Sequence, residues 1–387
     1  MASTSKIIIK SDAINNNVNF VKSLVGSSVT VSAVIKGNAY GHGTLVMVQA
    51  FEKEGINHFS VYSSSEARDA FKAKSKNSTI MIMGVICEND FLWIIKNNIE
   101  FYVSSLDVLN KAVEYSKKAG SKARIHIDVE TGMNRTGIAY KDLKKLVSTI
   151  NSNLDYLEII GITSHFAGAE SIANHTRIKK QYSVFKKRVK YFENNKIAFK
   201  IKHLASSAAT INYPDTRLDL VRVGILLYGY WPTKETFINY IHRRKDKSDP
   251  IKRAIRWYSK AISIKTIPEG EFIGYGMSFQ TQYKMRIMIV PVGYSNGYSR
   301  SLSNNGHVIV NGQKTAIVGI VNMNMIICDI TNVDNVKIGD EVVLIGKQDE
   351  NEISFSSFAE MNNSLNYEIL ARLPENIERE LDEQVTD

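Results

Sequence analysis

From about residue 29 to residue 225 the chain alternates two patterns. Short apolar, β-branched runs read as buried parallel strands, and longer stretches with helical spacing separate them. The runs are Val29–Ile35, His58–Tyr62, Thr79–Met83, Glu100–Val103, Arg124–Val129, Leu157–Thr163, Phe199–His203 and Leu218–Arg222; Leu45–Glu54, Ser65–Ala73 and Gln181–Asn194 are helix-like. Eight β-α units over roughly 200–250 residues fit a TIM (β/α)8 barrel. A doubly wound open sheet alternates too, but its Gly-rich dinucleotide fingerprint does not follow the first run, so the barrel is favoured. After about Tyr230 the texture changes. A polar, basic stretch, Lys234–Lys252, leads into Trp257–Ile267, Arg286–Val292, His307–Val310, Thr315–Ile320, Met325–Ile330 and Glu341–Ile345, a mainly β domain. Pro268-Glu269-Gly270 reads as a turn, and Asn311-Gly312 as a type I′ hairpin turn. The expected division is a barrel domain over residues 1–235 and a β domain over 236–387.

Composition narrows the classes. The 387 residues are 44% hydrophobic and 23% charged, enough for two domains with their own cores. No apolar run approaches the roughly 20 residues of a membrane helix, and the start, strand-like at Ile7-Ile8-Ile9, lacks signal-peptide features. A cytoplasmic protein is expected. The net charge of +10 is spread along the chain without a nucleic-acid-binding module, so neither nucleic acid nor membrane is expected as a partner. Cys87 and Cys328 have no metal-ligand neighbours, and no metal is expected.

A TIM barrel places its chemistry at the C-terminal ends of its strands. Those positions hold Lys36, Asp128, His165, Ser206, Ser207 and Arg222. An amine facing a His, an Arg and paired serines is the set a phosphate-bearing aldehyde cofactor requires. Each residue alone reads as well as a cap or loop residue; the joint placement carries the inference.

The segment Ala33-Val34-Ile35-Lys36-Gly37-Asn38-Ala39-Tyr40-Gly41-His42-Gly43 resembles the cofactor-attachment signature of the alanine racemases, typically Val-Lys-Ala-Asp-Ala-Tyr-Gly-His-Gly. Further matches include Thr131–Gly137, Ser164–Ala167, Arg222–Ile225, Leu227–Gly229, Gly274-Tyr275-Gly276, Val292–Tyr298, Val321–Met325 and Tyr367–Leu370. The resemblance implies a pyridoxal 5′-phosphate enzyme interconverting L- and D-alanine, making D-alanine for peptidoglycan. Lys36 would carry the cofactor and serve as one base; Tyr275, from the partner subunit of a homodimer, would be the other. Racemisation takes a proton from one face of Cα and returns one to the opposite face, which two opposed bases achieve without moving the substrate. A phenol, with a pKa ordinarily near 10, needs cationic or hydrogen-bonding neighbours to act as a base, and His165 and Arg222 match that network. Arg222 also matches the partner of the cofactor's ring nitrogen. The phosphate would be held by Tyr40, Ser207, the backbone amides of Gly224 and Ile225, and Tyr367. Arg135 and the Met323 backbone N–H would meet the substrate carboxylate, and Tyr294 matches a residue of the narrow entrance.

Two positions depart from the family pattern. Asp128 stands where many members carry a carbamylated lysine; aspartate cannot be carbamylated, and it is expected to offer its charge directly to Arg135. Asn324 stands where an aspartate is usual. These leave serine or a larger amino acid as an alternative substrate. A basic-amino-acid decarboxylase on the same fold is disfavoured because neither cysteine sits in the distinctive C-terminal motif of those enzymes. A non-catalytic cofactor-binding barrel is disfavoured by the β domain.

Overall fold

The computed structural model describes residues 4–242, 244–354 and 366–382. The chain forms two compact units, one of Met1–Asp12, Asn38–Val46 and Arg253–Asp387, the other of Ala13–Gly37 and Met47–Lys252.

The second unit is the expected barrel. The first strand of the chain, β1 (Ser5–Lys10), lies outside it. The barrel closes through β2 (Thr30–Val34), β3 (His58–Ser63), β4 (Thr79–Val85), β5 (Glu100–Val103), β6 (Ala123–Asp128), β7 (Leu157–Thr163), β8 (Ile201–Ser206) and β9 (Leu220–Val223). Every pairing is parallel, and β2 against β9 closes the ring. All eight sequence runs became its strands, because strands buried on both faces need no polar alternation to be visible as apolar runs. Helices surround them; Ser64–Ala73 starts with a capping box in which Ser63 and Glu66 satisfy each other's backbone. The outward face is aliphatic: Ile125, Ile127, Val221 and Val223 are all buried. The other face of the same strands carries Ser32, His58, Ser60, Glu100, His126, His203 and Arg222, also buried.

The first unit is mainly β. One sheet runs β14 (Gln313–Ala316), β13 (His307–Val310), β16 (Glu341–Gln348), β10 (Ile255–Lys260), β1, β18 (Glu378–Asp382), with β17 (Asn351–Ile353) on β16. A smaller sheet joins β11 (Ser263–Ile267), β12 (Met285–Val290) and β15 (Ile326–Asp329). The first residues, assigned by sequence to the barrel domain, therefore pair elsewhere: Ile7 and Ile9 are fully buried in a strand antiparallel to β10 and parallel to β18. The expected single run Trp257–Ile267 is split, because Ala261 N–H bonds Asp340 while Ile262 N–H bonds Ile289, so successive residues join different sheets. Asn311 and Gly312, at φ 47° and 72°, make the type I′ turn between β13 and β14 that the dipeptide predicts. Within the basic stretch, Lys234–His242 is helical. Among the described residues no helix is long and apolar enough to cross a membrane, and no group of three or more His, Cys, Asp or Glu is placed to hold a metal.

Candidate active site

Lys36 follows β2 at the rim of the barrel. Its side chain is open at the mouth, yet the rim strips enough water from the amine to lower its pKa; Arg135 repels its charge further, and Glu66 opposes both. The segment beyond it is tied down. Gly37 N–H donates to Glu66 Oε1 at 2.9 Å, and Gly37, Asn38, Ala39 and Tyr40 then take φ of 61°, 50°, 52° and 51°, a left-handed helical turn. Such a turn costs roughly 1–2 kcal/mol for each residue with a Cβ, so its surroundings must impose it. Gly41 continues at φ 76°, and a Cβ there would lie 2.0 Å from the Leu370 carbonyl oxygen. Gly41→Ala is expected to cost at least about 2 kcal/mol and to weaken cofactor retention, read by denaturant titration and cofactor dialysis. Tyr40, turned by this loop, lies with its ring centroid 6.0 Å from that of Tyr367.

Arg222 is the centre of the rim. Its NH1 donates to Thr163 Oγ1 at 3.0 Å and His203 Nδ1 at 2.6 Å; its NH2 donates to the carbonyls of Ser164 and Leu204 and, at 3.4 Å, to His165 Nδ1. Guanidinium only donates, so His165 Nδ1 accepts and its proton resides on Nε2. Burial, Arg222, Arg135 and Lys36 hold the His165 pKa down at about 3. His165 therefore enters the expected network as a neutral Nε2–H donor rather than a cation. Ser207, at the start of the helix Ser207–Asn212, accepts from Gly224 N–H at 3.0 Å, which brings two of the predicted phosphate contacts together; Ile225 opens the short 3-10 turn beyond.

Arg135 sits exposed on the Thr131–Gly137 loop, which is shaped by a residue the motifs did not reveal. Glu130 accepts the backbone N–H groups of Gly132, Met133 and Asn134. The direct Asp128–Arg135 pair expected from sequence is not formed. Asp128 accepts from Thr136 Oγ1 at 3.1 Å, and among the described residues no ion pair joins it to Arg135. The short aspartate is instead buried on β6, and burial pushes its pKa up to about 6 against the Thr136 bond, Arg222 and Arg135. Its protonated form is thus favoured in the fold. The resulting penalty is absent below the unfolded value of 3.8 and complete above about 6. Asp128→Asn should therefore stabilise the protein by about 2 kcal/mol more at about pH 8 than at about pH 4, measured by denaturant midpoints across pH.

The β unit contributes separately. Tyr275 is 72% exposed at the tip of a loop closed by the Ile273 N–H bond to Phe279, with Gly274 and Gly276 both at positive φ. Tyr294 and Met323 are brought together by backbone bonds, Tyr294 N–H to Asn322 O and Ser295 N–H to Met323 O, both 3.0 Å. A Cβ on Gly293 would lie 2.2 Å from the Asn322 carbonyl oxygen, so the two loops press together there. Asn324 Nδ2 donates to Ser295 Oγ at 2.8 Å, a bond an unprotonated aspartate could not donate.

Residues 9–232 match the family model of the alanine racemase N-terminal domain, and residues 254–381 that of the alanine racemase C-terminal domain. The chain belongs to the alanine racemase family. Among similar proteins, alanine racemase 1 of Caldanaerobacter subterraneus subsp. tengcongensis is 33% identical over 375 residues, covering 97% of this chain and 94% of the relative. The alanine racemase of Methanococcus maripaludis is 33% identical over 368 residues, covering 94% and 95%. Among solved structures, the Bacillus anthracis alanine racemase with bound L-Ala-P superposes with a TM-score of 0.88 at 28% identity, covering 98% of this chain and 95% of that one. The Bartonella henselae alanine racemase with covalently bound pyridoxal phosphate gives 0.81 at 28%, covering 98% and 100%.

As an alanine racemase the protein is an amino-acid isomerase dependent on pyridoxal phosphate. The barrel residues fit that group. Four of the five N–H groups of Arg222 are taken by the barrel wall, leaving Nε–H for an acceptor in the mouth such as a pyridine nitrogen. The depressed pKa of Lys36 increases the share of free amine needed to bond an aldehyde. Buried Ser207, whose hydroxyl accepts from Gly224 N–H and can donate onward, and the Ile225 backbone N–H are neutral donors of the kind that hold phosphate at a barrel mouth.

Proposed function

We propose that this alanine racemase interconverts L- and D-alanine with Lys36 and Tyr275 as opposed bases. Lys36 Nζ takes or returns the Cα proton on one side, and Tyr275 Oη, supplied by the second subunit of a homodimer, does so on the other. Bound pyridoxal phosphate would make that proton acidic by drawing electrons away from Cα. Tyr40, Tyr367, Ser207 and the backbone at Gly224 and Ile225 would hold its phosphate, and Lys36 its aldehyde carbon. Arg222 Nε–H would meet the ring nitrogen as a donor that keeps its proton, so the group would supply weaker electron withdrawal there than with a protonated ring. His165 Nε2–H stabilises the phenolate of Tyr275. Arg135 and the Met323 N–H orient the substrate carboxylate, while Tyr294 narrows the entrance against larger side chains.

The carrying observation is the barrel rim, where an amine of lowered pKa stands near Arg135 and a neutral His165 rests on Arg222. Support for a dimer comes from Tyr275, Met277 (82% exposed) and Met323 (55% exposed), apolar groups of the β unit that a second copy would cover. Unpaired Cys87 and Cys328 suit a reducing, cytoplasmic setting, and D-alanine for peptidoglycan is the role such an enzyme serves there. A panel of L-amino acids, assayed for the D form by chiral chromatography, tests the reading. Alanine should turn over fastest; a faster serine or bulky substrate would reject alanine as the preferred one.

A further inference from the structure

The inner face of the barrel is polar where this fold ordinarily packs branched aliphatics. Arg222 is buried there, and among the described residues none of its hydrogen-bond partners is a carboxylate. Its NH1 donates to His203 Nδ1, so that nitrogen must be an acceptor and the His203 proton must lie on Nε2. His203 Nε2–H then donates to His126 Nδ1 at 3.0 Å, which makes His126 the Nε2–H tautomer as well. His126 Nε2–H donates to Glu100 Oε2 at 2.9 Å. Every bond runs in one direction, from cation to carboxylate, through two imidazoles kept neutral chiefly by burial.

The packing is shaped for this chain. A Cβ on Gly161 would come 2.5 Å from His126 Nδ1, so the glycine leaves the room the ring occupies. Burial alone would protonate Glu100, but the bond from His126 and the nearby His58 ring outweigh it and hold the carboxyl well below the usual range. Glu100 has a second set of partners at the N-terminal end of the barrel: Arg124 NH2 at 2.7 Å on Oε1 and His58 Nε2 at 3.4 Å. Buried charges of this sort are rarely retained for stability, since aliphatic residues of similar volume serve as well or better.

We propose that Glu100 is a positioning residue for racemisation, fixing through His126 and His203 the direction in which Arg222 presents its free Nε–H. The proposal rests on the reading of Arg222 as the partner of the cofactor's ring nitrogen. Histidine side-chain 15N NMR on cofactor-free protein should show both His126 and His203 as Nε2–H tautomers; an Nδ1–H form of either reverses the chain and overturns the proposal, whether or not any variant folds. In Glu100→Gln both rings should keep the Nε2–H form that Arg222 imposes, but His126 loses its anionic acceptor, so the cofactor absorbance of the reloaded enzyme should shift and kcat should fall about tenfold with KM for alanine changed less than about twofold. Arg124→Gln, which removes the guanidinium partner of Glu100, should leave tautomers, spectrum and kcat as they were. If it reproduces the Glu100→Gln changes, the ion pair at the barrel's end is what matters and the proposal fails. An unchanged spectrum and an unchanged kcat in Glu100→Gln also overturn it. The tautomers are read without turnover, so a mistaken reaction assignment would leave that part of the result standing.

Discussion

Tyr275→Phe should lower alanine racemisation about 10²–10⁴-fold while leaving one half of the chemistry intact. The substitution removes an oxygen from an exposed ring on a glycine-flanked loop tip, so folding stability should not change measurably. With Lys36 still present, the enantiomer whose Cα–H faces the amine should continue to exchange that proton with D2O, retaining its configuration. The other enantiomer should lose both exchange and inversion. Deuterium uptake, followed by mass spectrometry alongside chiral analysis, separates these outcomes. Racemisation at the native rate would remove Tyr275 from its role. Equal loss of exchange for both enantiomers would mean that Tyr275 organises the site rather than carrying a proton.

Lys36→Ala should have the larger effect, more than about 10⁴-fold, because one side chain holds the cofactor and moves a proton. Its position predicts a clean phenotype. Lys36 is exposed and its side chain makes no hydrogen bond among the described residues, while the left-handed turn after it is anchored by Gly37 and Asn38, which the substitution leaves alone. Urea midpoints of the cofactor-free proteins should therefore agree. Small primary amines such as methylamine should restore part of the activity of Lys36→Ala, in proportion to their free-base concentration. Failure of every amine to do so, with cofactor bound, would argue that position 36 acts only as an anchor.

The barrel was legible because its strands are buried on both faces and thus appear as unbroken apolar runs. Lys36, His165, Ser207 and Arg222 were legible because they end or follow those runs, where the fold gathers its polar groups. Strand β1 pairs with β10 and β18 outside the barrel, which the strand-like Ile7-Ile8-Ile9 does not reveal, because a strand signal says that a strand forms and not which sheet it joins. Asp128 was read for its charge, and its reach and burial decided against the pair with Arg135. Glu100, His126 and His203 escaped notice because each sits inside an apolar run, where a single polar residue looks like noise. Their signal lay in position. Each stands on the strand face opposite its aliphatic neighbours, and that phase becomes meaningful only once the barrel is closed.

The absent methyl at Gly161 couples two positions in heredity as well as in space. A lineage that first gained any side chain there would displace the His126 ring and press on the Ile201 carbonyl oxygen, 2.8 Å away, whereas one that first shrank the ring would have only that carbonyl left to shift. Substitutions at these sites should thus occur in a preferred order, and ancestral reconstructions carrying a larger residue at 161 should carry something smaller than histidine at 126.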